Sequence, residues 1–256
     1  MTSQLIGVDI GGSGIKAAVV DIAAGEATGR IREPTPQPAT TDAVATTVAR
    51  LVRRFPDVEG AVGITLPAVV ADGVVRTAAH IDESWIGAHA AQVFAQNLDR
   101  PCIVCNDADA AGYAEAKFGA AREVDGLVLL VTIGTGVGTA VIYNGELIPN
   151  SELGHVIVNR HVADVWVSDS TRTDKNLPWK RWTRRLDAYL SHLHSVLWPE
   201  LIVIGGGIVK HADRFLDRID PGCEVRIAEL GNLAGMVGAA ALAAGHVPAL
   251  AAAEKE

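Results

Sequence analysis

Two glycine-rich segments in this chain have residue types and spacing suited to holding phosphate groups. The first runs from Asp9 to Gly14 and the second from Thr132 to Gly138, each between two apolar stretches that predict strands. A glycine turn at a strand end lets backbone N–H groups converge on an anion, because no Cβ intervenes. Two such turns predict two half-sites for one polyanion and therefore phosphoryl transfer. Two tight hairpins without any ligand are the alternative.

The polar residue before each turn argues for a ligand. Asp9 and Thr132 occupy equivalent places, and an acid beside a phosphate-binding turn is where hydrated Mg²⁺ is needed. We therefore expect Asp9 to hold Mg²⁺ through water. The chain has no Walker A motif, and a strand follows Gly134–Gly138 where a dinucleotide fold requires a helix. Both of those nucleotide-binding classes are disfavoured.

Two other polar motifs could act on a hydroxylated substrate. Asn106-Asp107-Ala-Asp109 ends a predicted strand and opens a predicted helix. Its acids could cap that helix, or one could accept the proton of a substrate hydroxyl, and the local sequence supports both equally. Glu152-Leu-Gly-His155 places a carboxylate and an imidazole in one loop, where they could bind vicinal hydroxyls. A lone histidine is more often structural.

Two further segments have less specific chemistry. Cys102-Ile-Val-Cys105 resembles a metal or redox pair, but it lies on a predicted strand and no second pair exists, so metal binding is disfavoured. Residues 175–185 carry five basic side chains and no acid. A solvated helix face is one interpretation, and a surface for an extended polyanion is the other.

Composition narrows the class of protein. The chain has 256 residues, 49% of them hydrophobic, which suits one large domain or two lobes. The net charge of −8 disfavours a nucleic-acid partner. No stretch predicts a signal peptide or a membrane span, and three cysteines fit a reducing cytosol, so we expect a cytoplasmic protein without a membrane partner.

The elements that must position these residues alternate between strands and helices. The first half predicts a hairpin at 5–20, a strand at 27–33, a helix capped by Thr41 or Asp42 and ending near Phe55, strands at 61–65 and 103–105, and helices at 88–97 and 110–118. The second half predicts a hairpin at 127–143, a loop at 147–155, a helix at 179–198, a strand at 201–204 and a final helix after Asn232. Alternation with an internal duplication indicates an α/β chain of two similar lobes with a cleft.

The order of these motifs resembles the ROK family of sugar kinases, from about Leu5 to Gly245. Segments 35–40, 84–87 and 147–150 resemble, more narrowly, the polyphosphate glucokinase branch of that family. The resemblance implies an actin-like (ribonuclease H-like) duplicated two-lobe fold with an inter-lobe cleft. We expect lobes at 1–105 and 106–256, with the last helix packing back on the first lobe.

The resemblance also implies an activity: transfer of a phosphoryl group from inorganic polyphosphate, with ATP as a second donor, to the 6-hydroxyl of glucose. It implies Mg²⁺ and a homodimer. It assigns Asp107 as the general base and places Asn106, Glu152 and His155 on the sugar. The residues assigned to the phosphates or nucleotide are Asp9, Gly11, Gly12, Ser13, Gly14, Lys16, Thr132, Gly134, Thr135, Gly136, Gly206 and Gly207. Independently of the resemblance, the charge pattern of residues 175–185 assigns the polyanion surface to Lys180, Arg181, Arg184 and Arg185.

Three departures from the family pattern qualify this assignment. The cysteine-rich zinc motif of many members is absent, as in the polyphosphate branch, so no structural zinc is expected. Ala68 replaces a glycine, which brings a methyl group towards the sugar. Asp164 replaces a glutamate that contacts the sugar. The departures concern sugar affinity and identity more than reaction type.

Two other functions stay open at this point. A non-catalytic sugar sensor is one, although a strand beginning at Leu5 leaves no room for the helix-turn-helix domain of ROK repressors. The other is an ATP-dependent kinase for mannose or an amino sugar.

Overall fold

The computed structural model describes residues 4–78 and 81–253, the stretch from 246 onward as helical backbone alone. The chain forms two compact units. The first contains Met1–Ala114 and Leu233–Glu256, and the second is Glu115–Asn232. The predicted boundary at 105/106 lies within a strand, one residue before its end at Asn106, whereas the units divide within the helix that follows, between Ala114 and Glu115.

The first unit is built on a five-stranded sheet. Its elements are β1 (Gln4–Ile10), β2 (Ile15–Asp21), β3 (Glu26–Glu33), α1 (Thr41–Val52), β4 (Val62–Leu66), β5 (Val70–Ala71), β6 (Val74–Val75), α2 (Ala90–Leu98), β7 (Cys102–Asn106), α3 (Asp107–Phe118, which runs on into the second unit) and α7 (Ala234–Ala253). The strand order is β3-β2-β1-β4-β7, with β1 antiparallel to β2 and parallel to β4.

Helix α7 packs against the central strands of this sheet. A side chain at Gly7 would collide with the backbone of Met236, and one at Gly63 with the backbone of Ala239. Helix and sheet therefore approach closely because glycines face the helix. On the other face, α1 and α2 bury Val48, Leu51 and Phe94.

The second unit repeats the plan. Its elements are β8 (Leu127–Ile133), β9 (Val137–Tyr143), β10 (Glu146–Ile148), β11 (Ile157–Val158), β12 (His161–Val162), α4 (Ala163–Val167), α5 (Asp169–Asp174), α6 (Trp179–Leu197), β13 (Leu201–Gly205) and β14 (Glu224–Ile227). The order β10-β9-β8-β13-β14 matches that of the first sheet. Helix α6 packs its stripe of Trp182, Leu186, Tyr189 and Leu193 into the core of this unit.

The two matching sheets confirm the duplicated α/β fold expected from the repeated hairpins. Three local expectations differ. Thr40 caps α1 by accepting the N–H of Ala43 at 3.4 Å, so neither Thr41 nor Asp42 is the cap. Helix α3 begins at Asp107, earlier than predicted, because Asn106 supplies its cap. The predicted loop at 147–155 contains the end of β10 and a short 3₁₀ helix at Leu153–His155.

Within the described residues, no helix is both long enough and apolar enough to cross a membrane.

Candidate functional site

The first glycine turn joins β1 to β2, and its carbonyl groups accept hydrogen bonds from the turn itself and from two side chains outside it. The N–H of Gly11 donates to the carbonyl of Gly14 at 3.1 Å, which closes the turn. The Thr35 hydroxyl donates to the carbonyl of Gly11 at 2.5 Å, and Nη2 of Arg32 donates to the carbonyl of Ser13 at 2.9 Å. These bonds fix which way the peptide groups point.

The N–H groups of the same turn are left for a ligand. Among the described residues, none accepts a hydrogen bond from the N–H of Gly12 or Ser13. Both residues are exposed. A Cβ on Gly14 would overlap the Arg32 guanidinium. Because residue 14 is glycine, this guanidinium can lie against the turn. Exposed N–H groups beside a guanidinium form a site for an anion.

Asp9 lies at the end of β1, before this turn, and already holds a cation. Its Oδ2 is 2.8 Å from Nζ of Lys16, its cross-strand partner on β2. Its Oδ1 accepts the Thr65 hydroxyl at 3.0 Å, and that hydroxyl accepts the N–H of Ile10 at 3.2 Å. The carboxylate is therefore oriented by the sheet and partly buried.

The residues around Asp9 fit a metal that arrives with the donor. Across the described parts of the chain, no three His, Cys, Asp or Glu side chains form a metal-binding group. Mg²⁺ needs no such group, because it retains several waters and commonly binds one or two carboxylates together with substrate phosphates. One oriented carboxylate beside a phosphate turn suits that mode.

The second glycine turn joins β8 to β9 and repeats this construction. The N–H of Gly134 donates to the carbonyl of Gly136 at 2.9 Å. The carbonyl of Gly134 accepts the N–H groups of Asp169 and Ser170, at 3.0 and 3.2 Å. The Ser170 hydroxyl donates to the carbonyl of Thr135 at 2.5 Å. The start of α5 thus holds the carbonyls of this turn, as Thr35 and Arg32 do in the first.

The N–H groups without an acceptor correspond as well. No acceptor in the described part of the chain binds the N–H of Thr135 or Gly136. The next N–H, of Val137, donates to Oδ1 of Asp164 at 2.6 Å. A Cβ on Gly136 would lie 2.6 Å from the same oxygen, so a side chain there would displace the Asp164 carboxylate. Asp164, predicted to contact the sugar, here supports the phosphate turn.

Gly206 and Gly207 follow β13, beside the strand that leads to the second turn. Gly206 has φ of 82°, and a Cβ there would lie 2.5 Å from the carbonyl oxygen of Ile133. Only glycine meets both conditions at this position. Thr132 pairs with Gly138 on β9 and with Gly205 on β13. The structure therefore brings the second turn and Gly206 together.

The motif at Asn106 places an amide and an exposed carboxylate side by side at the start of α3. Oδ1 of Asn106 accepts the N–H groups of Ala108 and Asp109 at 2.8 and 3.1 Å, so Asn106 caps α3. Its Nδ2 donates to the carbonyl of Ala68 at 3.2 Å. Asp107, the first residue of the helix, is exposed, with Oδ1 2.9 Å from the N–H of Ala108. Asn106, and not Asp107, is therefore the side chain that caps the helix.

Ala68 is close to this motif but is buried, with 4% of its surface exposed. Its side chain belongs to the hydrophobic core of the first unit. Its predicted effect on the sugar, and the predicted sugar contact of Asn106, stay predictions.

Glu152 directly precedes the short 3₁₀ helix Leu153–His155, whose last residue is His155, and both residues are exposed. Partial burial raises the pKa of Glu152. The nearby His155 lowers this pKa, and the nearby Asp164 raises it further. The Tyr189 hydroxyl donates to the carbonyl of Leu153 at 3.3 Å and holds the helix in place. Burial, with Asp164 nearby, raises the pKa of Tyr189. The structure thus groups Glu152, His155 and Asp164, the three predicted sugar residues of this unit.

The remaining predicted residues lie on helix α6 and strand β7. Lys180, Arg181 and Arg184 are exposed on α6, and Arg185 on the same helix is partly buried. Burial raises the pKa of the Cys102 thiol to about 12 and also raises that of Cys105, which opposes the thiolate that zinc requires.

Four residues that hold the turns were not singled out from the sequence: Arg32, Thr35, Asp169 and Ser170. Arg32 could have been found, because β3 pairs with β2 and places Arg32 opposite Lys16. Asp169 and Ser170 have no comparable signal, since α5 reaches the turn only through the tertiary fold.

Comparisons with known proteins identify the family of this chain. Residues 5–166 match the ROK family. The chain is 44% identical to polyphosphate glucokinase of Mycobacterium tuberculosis over 236 residues, covering 91% of this chain and 89% of that protein. Identity to polyphosphate glucokinase of Mycobacterium leprae is 42%, over 91% of this chain and 72% of that protein.

Solved structures give the same result. Inorganic polyphosphate/ATP-glucomannokinase from Arthrobacter sp. strain KM superposes with a TM-score of 0.91 and 42% identity, covering 96% of this chain and 100% of that one. A ROK family glucokinase from Streptomyces griseus, in complex with glucose and AMPPNP, has a TM-score of 0.82 and 25% identity, covering 94% and 99%. On the family match, the near-full-length identity and these folds, the chain belongs to the ROK family.

Proposed function

We propose that this chain transfers a phosphoryl group from inorganic polyphosphate, with ATP as a second donor, to the 6-hydroxyl of glucose. The observation that carries this proposal is the shared construction of the two glycine turns. In each turn, carbonyl groups accept hydrogen bonds from residues outside the turn, while two N–H groups have no acceptor among the described residues. The 44% identity to a polyphosphate glucokinase supports the choice of donor and acceptor.

Asp107 acts as the general base in this proposal. Its exposed carboxylate accepts the proton of the 6-hydroxyl as that oxygen forms a bond to the terminal phosphorus. The bridging P–O bond breaks, and its electron pair stays on the shortened polyphosphate. Asn106 keeps Asp107 at the helix start and also holds the Ala68 carbonyl. Both of its polar ends therefore position the base.

The turns stabilise the negative charge of the transferring group. Preorganised N–H donors are effective here because they need no reorientation as charge develops. Arg32 adds a guanidinium to the first turn, and Lys16 adds an ammonium beside Asp9. Mg²⁺, when bound with the donor, would supply further charge neutralisation, with Asp9 holding it through water.

Glu152 and His155 bind the sugar hydroxyls in this proposal. An ionised carboxylate accepts hydrogen bonds from two hydroxyls, and an imidazole can donate one or accept one. Asp164 contributes through the turn that it holds and through its charge near Glu152. Its sugar contact, predicted from the sequence, has no further support in this structure.

Mannose is a second candidate acceptor. The observation that favours it is the likeness to the Arthrobacter protein, whose name includes mannose as an acceptor. Glucose and mannose share the 6-hydroxyl that reacts and differ at carbon 2. The same base and donor site would serve both.

We further propose that the two compact units are the two lobes of the kinase, and that the protein is a cytoplasmic homodimer. The unit boundaries support the first part. The three cysteines are free, which suits a reducing compartment.

A coupled assay that crosses two donors with three acceptors tests the proposal. Long-chain polyphosphate and ATP are each combined with glucose, mannose and N-acetylmannosamine, and sugar 6-phosphate is measured. We expect polyphosphate with glucose to be among the productive pairs. Binding of glucose without turnover of either donor would favour the sugar sensor, and turnover of N-acetylmannosamine with ATP alone would favour an amino-sugar kinase.

A further inference from the structure

We propose that the exposed basic face of α6 is a docking surface for the distal part of a long polyphosphate donor. This inference rests on the proposed function, because it takes its ligand from that reaction. The basic face consists of Lys180, Arg181, Arg184 and Arg185. Their spacing of one and four residues places them on one side of the helix.

The cations of this face lack anionic partners. Lys180, Arg181 and Arg184 are exposed, and in the described parts of the chain no acidic oxygen lies within 4 Å of their charged groups. The nearest acid on the helix is Asp187, whose Oδ1 accepts the N–H of Asp220 at 2.8 Å. A group of uncompensated cations on a chain of net charge −8 is a local site for an anion.

Arg185 lies at the edge of the basic face and contacts Trp166 of α4. Its Nη1 donates to the carbonyl of Trp166 at 3.1 Å, and its guanidinium lies 5.8 Å from the centre of the Trp166 ring. His161 stacks on the same ring, with the centroids 5.4 Å apart. Desolvation by burial lowers the pKa of Arg185, and the like charge of Arg181 adds a smaller effect in the same direction.

Two short series of contacts link this face to the second glycine turn. In the first, the N–H of Asp169 donates to Gly134, Nε of Arg172 binds the Asp169 carboxylate at 2.9 Å, and the Arg172 guanidinium lies 4.1 Å from the ring of Trp179. Trp179 directly precedes Lys180. The intervening helix α5 has six residues, so it spans about 9 Å.

The second series runs through α4. Asp164 holds the turn at Val137, and Trp166 in the same short helix receives Arg185. The basic face and the turn therefore belong to one packed region of the second unit. A polyphosphate whose reacting end lies at the turn would need several further phosphates to reach the face, whereas the triphosphate of ATP would not reach it.

Polyphosphate fits this face better than other polyanions. The cations form a compact group on one helix. The neighbouring rings already have partners, since His161 and Arg185 lie against Trp166 and Arg172 lies over Trp179. Single-stranded nucleic acid binds through exposed aromatic faces as well as charge. The face offers charge alone, which is the chemistry of an inorganic polyanion.

The test compares two triple variants of equal charge change. The first carries Lys180→Gln, Arg181→Gln and Arg184→Gln, and leaves Arg185 in place because it packs on Trp166. The control carries Arg30→Gln, Arg53→Gln and Arg122→Gln, all exposed and distant in sequence from α6. KM is measured for long-chain polyphosphate, tripolyphosphate and ATP, together with direct binding of long-chain polyphosphate.

We expect the α6 variant to raise the KM for long polyphosphate about tenfold, since three exposed charge contacts are lost. Its KM for tripolyphosphate, ATP and glucose should match that of the control. The dependence of the long-chain KM on salt should also be weaker than in the wild type. Lys180→Glu alone, at an exposed position, is a second variant should the triple variant fold poorly, and it should change only the long-chain KM.

Equal changes for all three donors, or none, would overturn the docking surface while leaving the proposed function intact. So would an oligonucleotide that binds as tightly as polyphosphate and is lost in the same variant. If the protein turns over ATP but not polyphosphate, the proposed donor is wrong. Direct binding of long polyphosphate that the α6 variant loses would still support the surface in that case.

Discussion

The ammonium nitrogen of Lys16 lies 2.8 Å from Oδ2 of Asp9, across the β1–β2 hairpin beside the first glycine turn. The other carboxylate oxygen of Asp9 accepts the Thr65 hydroxyl. Both oxygens therefore have a partner before any donor binds. Lys16 and a Mg²⁺ ion brought by the donor would be drawn to the same carboxylate and would oppose each other there.

This relationship predicts opposite effects of one substitution on two constants. Lys16→Met should lower the Mg²⁺ concentration for half-maximal rate and raise the KM for polyphosphate, each about three- to tenfold, the size expected for a partly exposed charge contact. Initial rates over a matrix of Mg²⁺ and polyphosphate concentrations measure both. Arg53→Met, on the surface of the first unit, is the control. If both constants stay at their wild-type values, Lys16 has no part in donor binding.

Arg32 should prove to be a donor-binding residue. It both holds the Ser13 carbonyl and brings positive charge to the turn, so Arg32→Ala should raise the KM for polyphosphate and for ATP about tenfold, within the range for a charge-assisted hydrogen bond. Arg30→Ala removes the same charge from the same strand and is the matched control. Steady-state kinetics with both donors measure these KM values. Equal KM values for the Arg32 and Arg30 variants would show that Arg32 does not bind the donor.

The pKa of Glu152 should set the acidic limit of glucose binding, which is the pH below which the affinity for glucose falls. The carboxylate must be ionised to accept sugar hydroxyls, and burial raises its pKa, so affinity should fall at a higher pH than for an ordinary glutamate. Asp164→Asn removes a negative neighbour and should shift this limit to lower pH. His155→Gln removes a favourable neighbour and should shift it to higher pH.

The carbon NMR titration of the Glu152 carboxyl group measures these shifts directly, in parallel with the pH dependence of the KM for glucose. Asn at position 164 can still accept the N–H of Val137, so the turn should be preserved. Shifts in the same direction for both variants would contradict the electrostatic account.

Glu115 should be important for the stability of the second unit. It is 1% exposed and accepts the N–H groups of Ala120, Glu229 and Leu230, at 2.8, 3.1 and 2.8 Å. Glu115→Ala leaves these donors buried without an acceptor and should reduce the free energy of unfolding by about 3 kcal/mol or more.

Urea unfolding followed by tryptophan fluorescence measures this loss, since four of the five tryptophans lie in the second unit. Glu146→Ala, at an exposed carboxylate that pairs with Lys117, should change stability by less than about 0.5 kcal/mol. A loss at Glu115 as small as that at Glu146 would show that the buried bonds are not needed.

The two similar sheets could be predicted from the sequence, whereas the residues that hydrogen-bond to the glycine turns could not. The hairpins flanking Gly11 and Gly134 are evident because apolar strands and glycines are local signals. The capping of α3 by Asn106 left its start uncertain by a few residues, since a cap and a catalytic acid look alike in sequence. Ser170 reaches Thr135 only through tertiary packing, which no local pattern records.

The measurement that tests the central claim most directly is ³¹P NMR of glucose with long-chain polyphosphate and Mg²⁺, using wild type and Asp107→Asn. We expect the glucose 6-phosphate resonance to appear with the wild type. Asp107→Asn should slow its appearance about 10²- to 10⁴-fold, the usual contribution of a general base, without loss of fold. Glucose 6-phosphate formed by Asp107→Asn at near wild-type rate would contradict the role of Asp107, and no product with the wild type would contradict the proposed reaction.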